Sequence, residues 1–382
     1  MRWGTGSSGG RALVILHPAF VLTGVLHAIG GPLMPSLAVA FQLKDSQSGL
    51  LFLLYFGGTS LGAVICRGNY ARNLWLGLTG AAICCLGVAW TGPALLPLWF
   101  LFLGISVGDA MSAVNLYAGR NFVERCAPVL TALNFTWSIG AFLAPLLAAH
   151  VLSHASYRTA YEVLAAASAL GAILCGLLLR DGPEPSRPRL AMRASANLRF
   201  VFVFAMAAFL QVGIENTAAA WLSTYALRMT GESVASAAAA SSFYWTGFLG
   251  SRGLASLVLL RVQPKRVFRL ATVSGVIAGI VLAIVSSTAG RDTAMLLLGA
   301  SLAPIYPLVL AGSFARTRQT ADSRWVLATA GFGGSVLPWF AGWLSSHAGS
   351  MRTGILTIPA ALLLLAALLP DIVKCQDSVT VA

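Results

Sequence analysis

Two acidic residues, Asp109 and Glu215, lie deep inside long apolar stretches of the sequence. An acidic side chain at the middle of a membrane-spanning helix costs roughly 3 kcal/mol, so such residues usually face protein or a water-filled cavity. A carboxylate in a dry site can take up a proton near neutral pH, or it can ligate Na⁺ together with backbone carbonyls. We therefore predict that Glu215 and Asp109 bind a coupling ion. A structural hydrogen bond to a neighbouring helix is the alternative for both residues.

Other polar side chains accompany the two acids within the apolar stretches. Gln211 lies four residues before Glu215, so on a helix both side chains share one face. His27 lies in the middle of the first apolar stretch, ahead of the sequence GGPLMP. This histidine can bind a solute or relay protons, and a packing histidine with satisfied hydrogen bonds is the competing interpretation.

The elements that hold these residues are predicted to be membrane-spanning helices. Of the 382 residues, 57% are hydrophobic and only 10% are charged, and the mean hydropathy is +0.80. A soluble protein carries roughly 25% charged residues, whereas about 20 apolar residues span a bilayer as a helix. The sequence predicts an all-α integral membrane protein with twelve spans, near residues 12–41, 47–66, 73–92, 95–119, 127–152, 158–179, 199–227, 233–260, 267–289, 293–314, 323–346 and 352–372. The six cysteines lie in apolar runs or basic loops, and we predict that they are reduced packing residues and not metal ligands.

The formal net charge of +13 has a topological explanation. With both termini in the cytoplasm, 20 of the 25 lysines and arginines fall on the cytoplasmic side of the predicted spans. Cytoplasmic loops of membrane proteins carry such an excess. We therefore predict a multi-pass protein of the inner (plasma) membrane, with both termini cytoplasmic and no nucleic-acid partner.

The sequence contains an internal repeat. The segment SIGAFLAPLLAAHVLSHA (138–155) matches GFGGSVLPWFAGWLSSHA (331–348) at an offset of 193, and LGIS at 103–106 is similar to LGAS at 298–301. An offset near half the chain indicates a duplicated six-helix unit. We predict two pseudo-symmetric six-helix bundles, residues 1–180 and 199–382, joined by a cytoplasmic linker at 181–198.

Several segments together resemble the major facilitator superfamily. They are GGPLMPSL, DSQSGLLFLLYFGGTSLG, LNFTWSIGAFLAP, QVGIENTAAAWLSTYAL and LAPIYPLVL, in the first, second, fifth, seventh and tenth predicted spans. Within that superfamily they are similar to the fucose-, glucose- and galactose-type sugar:cation symporters.

The sequence departs from that family in two places. The loop motif with an Asp-Arg-x-Gly-Arg core after the second span is replaced by RGNYARN (67–73). The sugar branch often carries a carboxylate four residues before an Asn of the fourth span. Here Met111 stands four residues before Asn115, and the nearest acid is Asp109. Two positions rotate a helical side chain by about 200°, so Asp109 does not inherit that role by position.

The resemblance implies a cavity lined by the first, fourth, seventh and tenth spans, with the fifth, eighth and eleventh beside them. Amides and carboxylates suit solute hydroxyl groups, and aromatic faces suit a sugar ring. The predicted solute-binding residues are His27, Asn115, Asn134, Trp137, Gln211, Asn216, Trp221, Tyr244, Tyr306 and Trp339. For each aromatic residue taken alone, packing or anchoring at the membrane interface is the alternative. Arg252 resembles part of a Gly-Arg pair of the sugar branch and is predicted to close the inner gate, with snorkelling to the interface as the alternative.

The predicted function is secondary active transport of a small polar solute by alternating access, coupled to H⁺ or Na⁺, with a monosaccharide as the favoured solute. Export of drugs or amphipathic metabolites by the same fold is the alternative. A membrane enzyme or a non-transporting sensor is the remote alternative, because the sequence has no H-E-x-x-H and no nucleotide-binding glycine loop. The protein is predicted to be a monomer in the lipid bilayer, without a cofactor other than the coupling ion.

Overall fold

The protein is built from helices. A computed structural model describes residues 7–122, 125–180, 198–317 and 321–377, and the regular elements in these ranges are helical, as predicted. The helices are α1 (Ser7–Ala28), α2 (Gly30–Phe41), α3 (Asp45–Ile65), α4 (Tyr70–Trp90), α5 (Leu96–Asn121), α6 (Cys126–His154), α7 (Tyr157–Leu178), α8 (Leu198–Thr230), α9 (Val234–Ala240), α10 (Ser242–Val258), α11 (Pro264–Ile284), α12 (Thr288–Leu302), α13 (Ile305–Thr317), α14 (Ala321–Ala348), α15 (Met351–Ile355) and α16 (Thr357–Asp377). The predicted linker 181–198 lies outside the described residues except for Leu198.

Ten helical segments of the described chain are long and apolar enough to cross a membrane. Two predicted spans have no such segment: 233–260, which contains α9 and α10, and 323–346, which lies within α14. Two other predicted spans are interrupted, because 12–41 is divided between α1 and α2 and 293–314 between α12 and α13. The helices match the twelve predicted spans in order, while twelve crossings remain a prediction.

The interruption between α12 and α13 has a local cause. Pro304 follows the end of α12, and proline has no backbone N–H to donate to the preceding turn. Gln211 of α8 contacts the same place, because its Nε2 donates a hydrogen bond of 3.0 Å to the carbonyl of Leu302. The interrupted helix is thereby fixed to the middle of α8.

The alternating direction of the helices gives the bundle two faces. One face carries the beginning of α1, the end of α16 and the connections at 66–69 and 259–263, and we refer to it as the terminal face. The opposite face carries the connections at 42–44, 155–156, 231–233, 285–287 and 349–350, and we refer to it as the distal face. By the distribution of basic residues, the terminal face is the predicted cytoplasmic face.

The glycines of the predicted repeat make equivalent contacts in the two halves. Gly140 of α6 lies so close to α1 that an added Cβ would collide with the carbonyl oxygen of Val21. Gly333 of α14 lies in the same relation to the carbonyl oxygen of Phe209 in α8. Small residues at helix contacts let backbones approach closely in a membrane. Positions 21 and 209 are therefore equivalent, and α1 corresponds to α8 at an offset of 188.

A second pair of contacts relates α3 with α5 to α10 with α12. Gly104 of α5 faces the carbonyl of Tyr55, and Gly299 of α12 faces the carbonyl of Tyr244 in the same way. These glycines belong to the LGIS and LGAS segments of the sequence. The duplicated architecture predicted from the sequence is confirmed by this packing.

We predict that Gly333→Ala lowers the apparent melting temperature of the detergent-solubilised protein by several degrees. The added methyl group must push α14 away from the backbone of α8. The matched control is Gly250→Ala in α10, where no atom lies within 4 Å of the new Cβ. In that exposed helical position alanine is favoured over glycine by about 1 kcal/mol, so the control should be as stable as the wild type or more so. Equal melting temperatures for the two variants would contradict the assigned contact.

Candidate functional site

The two halves are joined at the distal face by an ion pair. Asp45, at the start of α3, accepts two hydrogen bonds of 2.5 Å from the guanidinium of Arg228, near the end of α8. Ser345 of α14 donates a further hydrogen bond of 2.5 Å to Asp45, and the backbone N–H of Ser46 donates to Ser346 at 2.7 Å. The Asp45 side chain is only 8% exposed. Bidentate arginine–carboxylate pairs fix orientation as well as distance, so this contact holds α3 against two helices of the other half.

Close packing continues the closure below this ion pair. Gly31 of α2 lies against the backbone of Ala219 in α8. Because 31 and 219 differ by 188, these are equivalent positions of the repeat, and they meet at the pseudo-symmetry axis. Phe52 packs edge-on against Trp221 with ring centroids 5.4 Å apart, and Trp221 Nε1 donates to the carbonyl of Pro338 at 2.8 Å. Every residue from 216 to 226 is buried, and together these contacts form what we call the distal seal.

Toward the terminal face the same helices are more open. Along α8, Glu215 is partly exposed, in contrast to the buried residues 216–226. Asn134 of α6 is exposed, and its Nδ2 lies 3.4 Å from Oδ1 of Asn115 in α5. The interface between the halves is thus closely packed at the distal face, and polar residues on its terminal side keep some exposure.

Glu215 is the centre of the polar groups between the halves. The guanidinium of Arg252 and the hydroxyl of Tyr244, both on α10, interact electrostatically with its carboxylate, as does the hydroxyl of Tyr306 on α13. Arg252 also donates a hydrogen bond of 3.1 Å to Ser138 of α6 in the other half. Its guanidinium lies 4.7 Å from the ring centroid of Phe248. Arg252 therefore links the carboxylate of one half to the Ser138 hydroxyl of the other.

His27 occupies the equivalent position in the first half. The offset of 188 relates His27 to Glu215, so the two titratable residues stand at the same place in the repeat. The imidazole lies among aromatic rings, with centroid distances of 5.3 Å to Trp137, 5.5 Å to Phe56 and 6.3 Å to Tyr55. It also forms a side-chain interaction with Asn216, the neighbour of Glu215.

Aromatic rings continue from His27 across the interface. Trp137 contacts Trp245 of α10 edge-on with a centroid distance of 6.3 Å, and Trp245 contacts Tyr244 at 5.1 Å. Ser138 is not among the predicted site residues. The similarity of LYFGG (54–58) to FYWTG (243–247) aligns the aromatic pairs of the two halves.

The predicted residues Gln211, Trp221 and Trp339 lie outside this group. Gln211 is buried and bonded to Leu302, and its Oε1 has no hydrogen-bond partner. Trp221 and Trp339 belong to the distal seal, the latter through its backbone against Gly49. The structure brings His27, Trp137, Glu215, Asn216, Tyr244, Arg252 and Tyr306 together, with Asn115 and Asn134 on the side of the terminal face.

Asp109 is not brought to this group. Its backbone packs against Gly62 of α3, and its side chain interacts with Cys66 at the end of that helix. One carboxylate oxygen is buried without a hydrogen-bond partner. The contact lies inside the first half, so a role shared with Glu215 is not supported by the geometry.

A second ionic cluster on the distal face lies within one half. Glu232 accepts hydrogen bonds from Thr230 Oγ1 at 2.7 Å and Ser236 Oγ at 2.6 Å, and it pairs with Arg291, which also contacts Asp292 at 2.8 Å. Burial raises the pKa of Glu232, but these hydrogen bonds and the charge of Arg291 outweigh that effect and leave the pKa below its ordinary value. The carboxylate is charged at neutral pH, and its contribution to stability is lost only as the pH falls through that lowered pKa.

Comparison with known proteins identifies the family and the fold. A model described as the Major Facilitator Superfamily matches residues 16–321. The chain is 24% identical over 407 residues to a sodium-dependent glucose transporter 1A of Mus musculus, covering 94% of this chain and 95% of that protein. It is 25% identical over 374 residues to a glucose/galactose transporter of Brucella abortus, covering 89% of each.

A solved structure has the same fold. It is a bacterial homolog of the human lysosomal transporter Spinster, in an inward-facing and occupied conformation. It matches with a TM-score of 0.83 at 14% identity and covers 97% of this chain and 98% of that one. The resemblance and the fold class predicted from the sequence are confirmed.

We predict that Asp45→Asn opens the distal seal. The substitution removes the charge that Arg228 pairs with, and hydrogen bonds to charged groups contribute about 1.5–3 kcal/mol. The distance distribution between spin labels on the exposed residues Lys44 and His347, measured by double electron–electron resonance, should gain a longer component. Asp292→Asn is the control, because its ion pair with Arg291 does not cross between the halves. A distribution unchanged from the wild type would contradict a clamping role for Asp45.

Proposed function

The chain belongs to the Major Facilitator Superfamily, and we propose that this membrane transporter carries a monosaccharide by alternating access, coupled to H⁺ or Na⁺. It is a transporter and not an enzyme. The observation that carries the proposal is the partly exposed Glu215, held between the two halves beside Arg252 at the base of a closed distal seal.

Closure at one face and access from the other support alternating access. A transporter of this plan binds its solute near the bilayer midplane and exposes the site to one side at a time, as the two halves rock against each other. The distal seal provides the closed side, and the partly exposed polar groups toward the terminal face provide the open side. Under the predicted topology, the proposed open side faces the cytoplasm.

The composition of the site suits a sugar. Asn115 and Asn134 offer amide groups, Glu215 and Arg252 offer an acceptor and a donor of opposite charge, and Trp137 offers an aromatic face. These are the groups that bind neutral molecules with many hydroxyls. Relatives named as glucose and glucose/galactose transporters add support, because they align with most of this chain.

Glu215 is the proposed coupling residue. A carboxylate at this depth is costly in its charged form, and the interaction with Arg252 offsets part of that cost. Binding of H⁺ or Na⁺ neutralises the carboxylate and releases Arg252, which reaches Ser138 of the other half. Arg252 is therefore proposed as the gating residue that connects ion binding to the relative position of the halves.

The proposed cellular setting follows the charge distribution. The protein is placed in the inner (plasma) membrane as a monomer, with the terminal face toward the cytoplasm. The basic residues near the terminal face then lie where positive charge is retained in membrane proteins.

We predict that Glu215→Gln abolishes ion-driven accumulation while leaving the fold intact. Purified protein in proteoliposomes should accumulate labelled D-glucose when a proton or sodium gradient is imposed, and the variant should only equilibrate it. Counterflow exchange, which needs no ion gradient, should persist in the variant because solute binding is retained. Glu162→Gln is the control, since this acid lines an outward groove between α4 and α7. Full gradient-driven uptake by Glu215→Gln would contradict the assignment of Glu215 as the coupling residue. Absence of sugar uptake by the wild type would contradict the assignment of a monosaccharide as the solute.

A further inference from the structure

Tyr55 and Tyr244 are equivalent residues of the repeat with different surroundings. The backbone carbonyl of Tyr55 contacts Gly104 in α5, and the backbone carbonyl of Tyr244 contacts Gly299 in α12. Both side chains are buried, with 5% of Tyr55 and 0% of Tyr244 exposed. The two tyrosines therefore differ mainly in the surroundings of their hydroxyl groups.

In the first half the hydroxyl has a structural partner. Tyr55 donates a hydrogen bond of 2.9 Å to the carbonyl of Leu26. Leu26 lies in the last turn of α1, where carbonyl groups lack the partners that a continuing helix would supply. The interaction satisfies a backbone group at the interruption between α1 and α2.

In the second half that partner does not exist. The offset of 188 relates Leu26 to Ile214, which lies in the middle of the uninterrupted helix α8, where carbonyls are used by the helix itself. The hydroxyl of Tyr244 is buried and has no hydrogen-bond partner. An unpaired buried hydroxyl costs about 1–3 kcal/mol, so its retention calls for a partner in another state of the protein.

The groups around the hydroxyl identify that partner. Tyr244 interacts electrostatically with Glu215 and Arg252. Arginine has donors only, whereas an ionised carboxylate has acceptors only. Of the two charged groups, Glu215 is therefore the one that can accept a hydrogen bond from the tyrosine.

The other titratable groups near Glu215 come from α13, α1 and α10. Tyr306 approaches from α13, and His27 of α1 interacts with the neighbouring Asn216. The α2 sequence that packs on α8 has no titratable residue, and His347 of α14 lies at the distal face. Arg252 already bonds Ser138.

We propose that Tyr244 is the positioning residue of the coupling carboxylate: its hydroxyl donates a hydrogen bond to ion-free Glu215 and competes with the coupling ion for the carboxylate oxygens. This inference rests on the proposed function of Glu215. When H⁺ or Na⁺ binds, the hydroxyl is released. Tyr244 thus sets the ion affinity of the site.

The test compares Tyr244→Phe with its repeat equivalent Tyr55→Phe. Uptake of labelled D-glucose into proteoliposomes is measured as a function of pH and of Na⁺ concentration. Because a competing donor is removed, Tyr244→Phe should bind the coupling ion about tenfold more tightly, given the usual strength of hydrogen bonds to charged groups. For H⁺ this moves the midpoint of the uptake–pH profile upward by about one unit, and for Na⁺ it lowers the half-saturating concentration. Tyr55→Phe should keep the wild-type ion dependence and lose thermal stability.

Two further measurements separate the outcomes. In the background of Glu215→Gln, Tyr244→Phe should have no further effect on ion dependence, because the tyrosine acts through the carboxylate. In the wild type, the infrared difference spectrum on ion binding should contain bands that shift with ring-labelled tyrosine, a readout that does not require the variant to fold. An ion-dependent wild type with an unchanged Tyr244→Phe profile, or no tyrosine band, overturns this inference alone. A wild type without any ion dependence overturns the proposed coupling itself.

Discussion

Every polar group of this protein at membrane depth must be satisfied by the protein itself, because lipid offers no hydrogen bonds. That constraint explains the long-range bonds of the structure. Gln211 bonds the end of α12, Trp221 bonds the backbone of α14, and Tyr55 bonds the end of α1. Each of these side chains satisfies a carbonyl of another helix. Among the buried polar atoms of the described residues that lack a partner, the Tyr244 hydroxyl lies beside Glu215 and Oε1 of Gln211 lies one turn from it, where the halves meet.

The same constraint explains which features of the fold and of the site could be predicted from the sequence. Apolar length and the scarcity of charge predicted the helices and their order, since lipid exposure leaves few other choices. The repeat was visible through its glycines, because the same backbone contact is needed twice. Glu215 could be singled out because a mid-helix acid is costly wherever it points. Asp109 met the same criterion and lies instead against Cys66 within one half, since depth in a helix does not determine the direction of the side chain.

Other features were beyond prediction from the sequence for physical reasons. The clamp at Asp45 depends on residues about 180 and 300 positions away in the chain, and each of them is an ordinary polar residue near a helix end. The span 233–260 was predicted as one helix, and its division into α9 and α10 was not predicted. Trp221 and Trp339 have the residue type expected of a sugar site, but they belong to the distal seal. Aromatic type is informative about packing and says little about which cavity a ring faces.

Duplication supplied one frame for both halves, and the two halves then diverged at the centre. Position 27 carries an imidazole among aromatic rings, and position 215 carries a carboxylate beside a guanidinium. The surrounding glycine contacts are shared, so the divergence alters chemistry with little change in backbone geometry. The second half therefore carries the charged pair Glu215 and Arg252, while the first half contributes the ring of Trp137 and the hydroxyl of Ser138.

The continuous burial of residues 216–226 limits the leakage of ions and water through the protein. An ion gradient across a membrane is lost through any continuous column of water that crosses it. Where α2 and α8 approach through Gly31 and Ala219, backbone lies against backbone and no side chain has to move aside to exclude solvent. Under the proposed mechanism, the seal keeps water and ions from crossing at the distal face while the solute site exchanges with the compartment at the terminal face.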